Sequence, residues 1–428
     1  METLTAHDVW VLTSSALVLV MTPGLALFYG GLVRVRSVVN MMLFSVSAMG
    51  VVGVLWILFG YGMSYFAAGE SGWAGNPLKD FGLIETDPAS FIGLGFGVTF
   101  AMISTALISG AIADRVGLGS WVLFSGLWAT LVYFPVAAWV WGGGWIQQLG
   151  GILGTHDVID WAGGTAVHIN AGAAALALAL VAGKRVGFAK GSHQPHSLPL
   201  VTIGAALLWF GWIGFNAGAA DEPGLAGLIL VNTIGAPAAG IVGWLVIDRL
   251  RGRKPGVVGA ASGAVAGLVA ITPACADLAP IWALLLGLLA GGLCAWAIDW
   301  KYRLGFDDSL DVVGLHLVAG VLGTVYLGFF ASDAGLFLGG DAGLLLVQTI
   351  SVLAVALYSF GVSLVIALGI KLVTGLRVPT AVEEAGIDAA AHGEEAYAYD
   401  EPVSVEPVPA EPEPVPAAAP NARVGGRG

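Results

Sequence analysis

Trp161-Ala-Gly-Gly-Thr-Ala-Val-His168-Ile-Asn-Ala-Gly172 and Asp311-Val-Val-Gly-Leu-His316-Leu-Val-Ala-Gly320 decide how this chain is read. Each sets one imidazole inside an otherwise apolar run. The other five histidines, His7, His156, His193, His196 and His392, fall in loops or tails. Working outward from these two stretches, apolar runs of membrane-spanning length recur along the chain. A membrane helix needs about 20 mostly apolar residues. Eleven stretches qualify, roughly 9–32, 39–66, 91–113, 120–145, 161–183, 197–219, 225–249, 256–275, 279–299, 311–331 and 342–375. Strands of a membrane barrel would be near ten residues long and would alternate strictly. The reading is therefore an all-α polytopic membrane protein of eleven transmembrane helices.

Composition agrees. The chain has 428 residues, of which 57% are hydrophobic and only 11% charged. Soluble domains carry roughly 25% charged residues, so a water-facing surface cannot be covered and a soluble multidomain enzyme is excluded. Two cysteines, Cys275 and Cys294, rule out a disulfide framework or a multi-cysteine metal site. The formal net charge of −12 argues against a nucleic-acid partner.

Charge position tests the segmentation. Excluding the last fifty residues, 14 of 15 lysines and arginines fall in loops on one side of the membrane, and only Lys79 falls on the other. The positive-inside rule then places the N-terminus outside and the C-terminus in the cytoplasm. No basic stretch precedes the first span, which reads as retained and not as a cleaved signal peptide. Residues 379–428 hold ten acids and two bases. From about Asp400 this tail becomes a Pro/Glu/Ala-rich sequence, too polar and proline-broken to pack a core. The abundant glycines read mainly as close-packing surfaces between helices.

His168 and His316 lie in spans 5 and 10, five spans apart. The odd offset makes the two spans cross in opposite directions. This predicts two inverted five-helix repeats plus one extra helix, with a shared site near the midplane at the repeat interface. Facing neutral imidazoles could hydrogen-bond to each other and pass protons. Burial disfavours the charged form, so a neutral resting pair is expected. Such a pair suits a small polar solute or a proton, not a metal ion that needs an oxygen shell. The plainer alternative is two unrelated histidines bonded to backbone carbonyls. Asp160 directly precedes span 5; it reads as a helix N-cap, as an attractor of cations, or as both. Trp141 closes span 4, Phe96 and Phe100 share one face of span 3, and Trp212 and Phe215 lie in span 6. Most membrane aromatics are core or belt residues, but a cluster at a pore mouth would attract a cation by roughly 0.5–2 kcal/mol.

At these residues the chain resembles the ammonium transporter family, the Amt/Mep/Rh group, and its bacterial Amt branch in particular. The resemblance covers about residues 1–397. It is carried by Pro23-Gly-Leu-Ala-Leu-Phe-Tyr-Gly-Gly31, Gly110-Ala-Ile-Ala-Asp-Arg115, Trp141-Gly-Gly-Gly144, Asp160 through Asn170, Gly211-Trp-Ile-Gly-Phe-Asn-Ala-Gly218, Thr272-Pro-Ala-Cys275 and Asp311 through His316. It implies that Phe100 and Trp141 form an external ammonium vestibule. It also implies that Phe100 and Phe215 form a stacked gate, that His168 and His316 line the pore with Trp212 near them, and that Asp160 is the essential aspartate beside the vestibule. One departure stands out. The family usually has serine where this chain has Ala219, so a hydrogen-bonding group at the outer site is lost. Trp141 favours the Amt branch over the Rh branch.

The resemblance further implies a nitrogen-uptake transporter of the cell inner (plasma) membrane, taking ammonium and its analogue methylammonium, without cofactor, metal or enzymatic chemistry. A homotrimer is implied, as is a cytoplasmic segment at 379–399 that takes part in control by a PII-type signalling protein. The chain thus divides into a membrane domain, 1–378, a regulatory tail segment, 379–399, and a disordered extension, 400–428. Two other functions are weighed: an ammonium sensor acting through the tail, and a membrane haem protein with His168 and His316 as axial ligands.

Overall fold

In lipid every backbone polar group must be satisfied within the chain, so apolar sequence of this length folds as helix. The computed structural model describes residues 3–67, 70–188 and 194–398. Its apolar helices are α1 (Ala6–Leu32), α2 (Val35–Met63), α3 (Pro88–Ile112), α4 (Leu118–Val140), α5 (Gly164–Ala182), α6 (Leu198–Ala217), α7 (Pro223–Leu250), α8 (Val257–Ile271), α9 (Pro280–Leu304), α10 (Val313–Phe330) and α11 (Ala342–Val373). Ten of them are long and apolar enough to cross a membrane. The exception is α8. The eighth run was expected to extend over 256–275, but its helix has 15 residues and stops at Ile271, where Thr272-Pro273 leads into turns. That is about 22 Å of helix against a hydrocarbon core of about 30 Å. The helix is buried along most of its length, and irregular backbone at membrane depth is tolerated where protein surrounds it.

Several other ends differ from the sequence reading by a few residues. The fourth run was expected to reach 145, but α4 ends at Val140, where Trp141 and three glycines follow. The fifth was expected from 161, but residues 161–163 are a non-helical approach to α5.

Small residues set the packing. α1 lies against α6, and a Cβ at Gly204 would stand 2.3 Å from the Phe28 backbone nitrogen. α7 packs on α8 and α9, and a Cβ at Gly291 would stand 2.0 Å from the carbonyl oxygen of Gly240. α5 is the most enclosed helix, with 89% of its apolar window buried. It meets α10 where both begin in a π-helical turn, Gly164–Ile169 and Val313–Leu317. Single π-turns inside helices mark functional sites disproportionately often.

The face carrying the basic loops is tied together by buried charge. Arg185 bonds both oxygens of Asp307 at 3.0 Å and reaches Asp114 at 3.3 Å. Arg115, fully buried, donates to Ser309 Oγ and to the carbonyls of Ala111 and Asp307. Burial pushes the Arg115 guanidinium down to about 10, with Asp307 opposing. Burial alone would raise the Asp307 carboxyl, but the bonds and charge of Arg185 hold it below the ordinary range.

The tail closes onto this face through two short helices, α12 (Thr380–Ala385) and α13 (Ile387–His392). Glu383 accepts from the Val186 amide at 2.7 Å and pairs with Arg377. Asp388 caps α2 by accepting from the amides of Val39 and Asn40 at 3.0 and 2.9 Å. Met1–Ala396 form one packed unit and Tyr397–Gly428 a second, of which Tyr397 and Ala398 are described. The disorder expected for 400–428 lies outside the described residues.

Candidate functional site

The site is organised from Asp160. Gly163, at φ +114°, turns the backbone so that α5 starts directly beneath this carboxylate. Asp160 Oδ1 accepts from the amides of Gly163 and Gly164 at 3.1 and 2.5 Å. Oδ2 accepts from the amides of Thr165 and Ala166 at 3.0 and 3.1 Å, and from the Thr165 hydroxyl. The orphan donors of the helix start are thereby satisfied. The Asp160 backbone carbonyl accepts from Trp141 Nε1 at 2.8 Å. One residue thus caps α5 and fixes the indole plane. Its side chain is buried and is not part of the cavity wall.

That cavity, about 410 Å³, opens at the end of the molecule where Trp141 sits. Phe100, Trp141 and Ala219 of the expected outer site line it together with the expected gate residue Phe215, whereas Asp160 does not. Phe96 meets Phe100 edge-on, with ring centroids 4.8 Å apart, and Trp141 stands at 88° to Phe100. At its floor Phe100 and Phe215 stack at 4.1 Å and 18°, closing the way down. Ring faces present negative potential, and they offer no oxygen shell to a metal ion. Where serine is usual in the resembled family, Ala219 contributes only a methyl group.

Below the stack, His168 lies 6.2 Å from Phe215, centroid to centroid. The imidazoles of His168 and His316 meet at Nδ1···Nδ1 3.2 Å, so one ring donates and the other accepts. The structure thus brings together the two histidines that the sequence singled out. Trp212 stacks on His168 at 5.5 Å. Its Nε1 donates to Thr272 Oγ1 at 2.8 Å, which itself donates to the Leu268 carbonyl at 2.7 Å. Around the rings the lumen is apolar and holds only about 10 Å³, with Leu25, Tyr29, Ile103 and Val265 in its wall. That is about one water-sized sphere.

This geometry does not accommodate haem. Two ring nitrogens ligating one metal from opposite sides would sit about 4 Å apart, and the lumen has no room for a macrocycle. Among the described residues no cluster of three or more His, Cys, Asp or Glu side chains could hold a metal ion.

Sequence reasoning missed several members of the site. Thr272 was noticed only as part of a motif, although it holds Trp212. Tyr29, Tyr61, Tyr65 and Trp161 line the lumen or the mouth. For Tyr61 and Tyr65 the four-residue spacing at the end of the second run was the available signal.

A family model for the Ammonium Transporter Family matches residues 9–397. The chain belongs to the ammonium transporter family. A relative named ammonium transporter from Mycobacterium tuberculosis (strain ATCC 25618 / H37Rv) is 48% identical over 426 residues, covering 91% of this chain and 89% of the relative. The ammonium transporter of Bacillus subtilis (strain 168) is 43% identical, covering 91% and 98%. Among solved structures, Candida albicans Mep2 superposes with a TM-score of 0.79 at 33% identity over 87% of this chain and 86% of that one. A structure titled Sensor Amt Protein gives 0.82 at 26% identity, covering 90% and 98%. This member of the family is accordingly a multi-pass membrane protein of a transporter family.

Proposed function

We propose that the protein recruits NH4+ at Trp141 and Phe100, removes its proton at or below the Phe100/Phe215 gate, and conducts NH3 past Trp212, His168 and His316. The proton follows separately through the histidine pair and rejoins NH3 on the far side, so net movement is NH4+ and is electrogenic. The observation that carries this reading is the 3.2 Å contact between the two rings directly beneath a closed phenyl stack. Potassium matches ammonium in charge and size but has no proton to give up, and an apolar lumen strips its water without replacing it. Asp160 serves by holding α5 and Trp141 in register and by adding negative potential at the mouth. Ala219 leaves the outer site one hydrogen bond weaker than in serine-bearing relatives, by about 0.5–1.5 kcal/mol.

The same reading gives eleven crossings, with α8 as a short buried one, in two inverted five-helix repeats plus α11. The Trp141 mouth then faces outward, and the tail face lies in the cytoplasm of a cell whose inner (plasma) membrane carries the protein for nitrogen uptake. A homotrimer with one pore per subunit fits the family, and the tail segment 379–399 offers a contact for a PII-type protein. The test is ammonium-evoked current on a solid-supported membrane. Wild type should give a sustained charge transfer, and the His168→Ala, His316→Ala double variant should lose it. Unchanged charge transfer in that variant would overturn the relay. Methylammonium uptake into liposomes separates a transporter from a protein that only senses.

A further inference from the structure

Lys79, the lone base that the charge pattern leaves on the Trp141 side, lies against the wall of the outer cavity. Its Nζ is 5.8 Å from the centroid of Tyr65, a ring that lines that cavity. Tyr65 stands 5.0 Å from Tyr61, which in turn is 5.9 Å from Trp56, so a ladder of rings descends from Lys79 into the mouth. The segment bearing Lys79 is held in place. The Gly75 amide donates to the Met63 carbonyl at 3.0 Å, and the Leu78 amide donates to Asn76 Oδ1 at 2.9 Å. A Cβ at Gly75 would lie 2.0 Å from the Tyr65 carbonyl, so the segment sits flush on the strip that carries the ring. Tyr65 is pinned from the other side, where the Phe66 amide donates to Gly142 O at 2.7 Å. Among the described residues Lys79 forms no ion pair.

A primary ammonium group on a ring face is the chemistry of a bound alkylammonium ion. We infer that Tyr65, backed by Tyr61, is a peripheral cation site for ammonium and small alkylammonium ions at the lip of the outer cavity, and that Lys79 is a tethered occupant competing for it. The inference deepens the conduction reading and rests on it for its physiological role. A diffusing cation must displace the Lys79 ammonium to use the ring. The site then fills appreciably only when external ammonium is plentiful, while Trp141 and Phe100 fill first.

The test is methylammonium binding to the purified full-length protein by calorimetry, run beside ammonium-evoked current, at low salt and at 0.15 M salt. Lys79→Gln should strengthen binding about 2- to 5-fold, and Lys79→Arg, which keeps a cation on the ring, should leave it within twofold. Tyr65→Ala should abolish the gain from Lys79→Gln. Tyr65→Phe keeps the ring face and should preserve the gain, which guards against a folding defect in the alanine variant. A gain that survives in Tyr65→Ala, or that vanishes at 0.15 M salt, would reduce Lys79 to long-range repulsion and overturn the site. No gain in Lys79→Gln would overturn it as well. Methylammonium binding with the expected pattern but no wild-type current would sink the conduction reading and leave the peripheral site standing.

Discussion

Asp160 stands eight residues before His168, and Asp308 stands eight residues before His316. Each caps the π-helical start of the helix that carries its histidine, yet the two are wired differently. Asp160 is saturated: four amides and one hydroxyl converge on its two oxygens. Asp308 accepts from one amide, Val313 at 2.7 Å, through Oδ2, and its buried Oδ1 has no partner. Charge supplies the rest of its environment. Lys301 Nζ donates to the Asp308 carbonyl at 2.9 Å and to Asp311 Oδ1 at 2.6 Å. One sequence device, repeated, is saturated by hydrogen bonds on one side of the molecule and on the other stands beside the Lys301–Asp311 ion pair. The hydrogen-bonded copy holds Trp141 in place. The Asp308 copy borders a cavity of about 450 Å³ that Lys301 and Asp311 line.

Breaking the hydrogen-bonded copy should have the largest effect. Asp160→Ala strands five buried donors at about 1–3 kcal/mol each, so a stability loss of at least ~5 kcal/mol is expected. Thermal unfolding in detergent should register it, together with loss of transport. Asp160→Asn should also fail, because an amide places N–H groups against two of the helix amides. Lys301→Met comes next. It leaves Asp311 and Asp308 without their cation and should cost ~3 kcal/mol, and a loss below 1 kcal/mol would show that the two copies are stabilised alike.

A pH series then separates them. Burial and the Asp311 charge push the Asp308 carboxyl up to about 6, against the pull of Lys301. A raised acid destabilises once ionised, so its contribution should fall as pH rises from about 4 to 6 and stay level above that, by up to ~3 kcal/mol. Asp308→Asn keeps the acceptor for Val313 and should flatten that slope, with under ~1 kcal/mol lost at neutral pH. Equal damage from the asparagine substitutions at 160 and 308 would erase the distinction. The smallest effect is expected at Ala219→Ser, where one restored hydroxyl should tighten outer-site binding about 2- to 10-fold, read as a lower half-saturating ammonium concentration.

Much of this was legible in sequence because bilayer chemistry is strict. Apolar run lengths gave the helices, and the two membrane-depth histidines announced their own pairing, since an isolated polar ring there is costly. The aromatic grouping of Phe100, Trp141 and Phe215 came from family resemblance, as composition alone cannot tell a pore mouth from a core. What sequence did not yield was geometry that depends on backbone direction. Asp160 could be read as cap or as cation attractor, and only the turn at Gly163 shows its side chain committed to the helix and its carbonyl to Trp141. The short α8 was hidden because Thr272-Pro-Ala-Cys275 is as apolar as a helix, while proline and the Thr272 bond to Trp212 end it.

The Phe100–Phe215 stack has a bearing on cellular energetics. Rings 4.1 Å apart interrupt any continuous column of water between the aromatic mouth and the histidines. If NH3 takes the proposed path, each passage waits for a phenyl ring to swing aside and return. On the proposed path such a valve would keep the membrane's electrical potential between turnovers, so that many copies could be held without a standing leak.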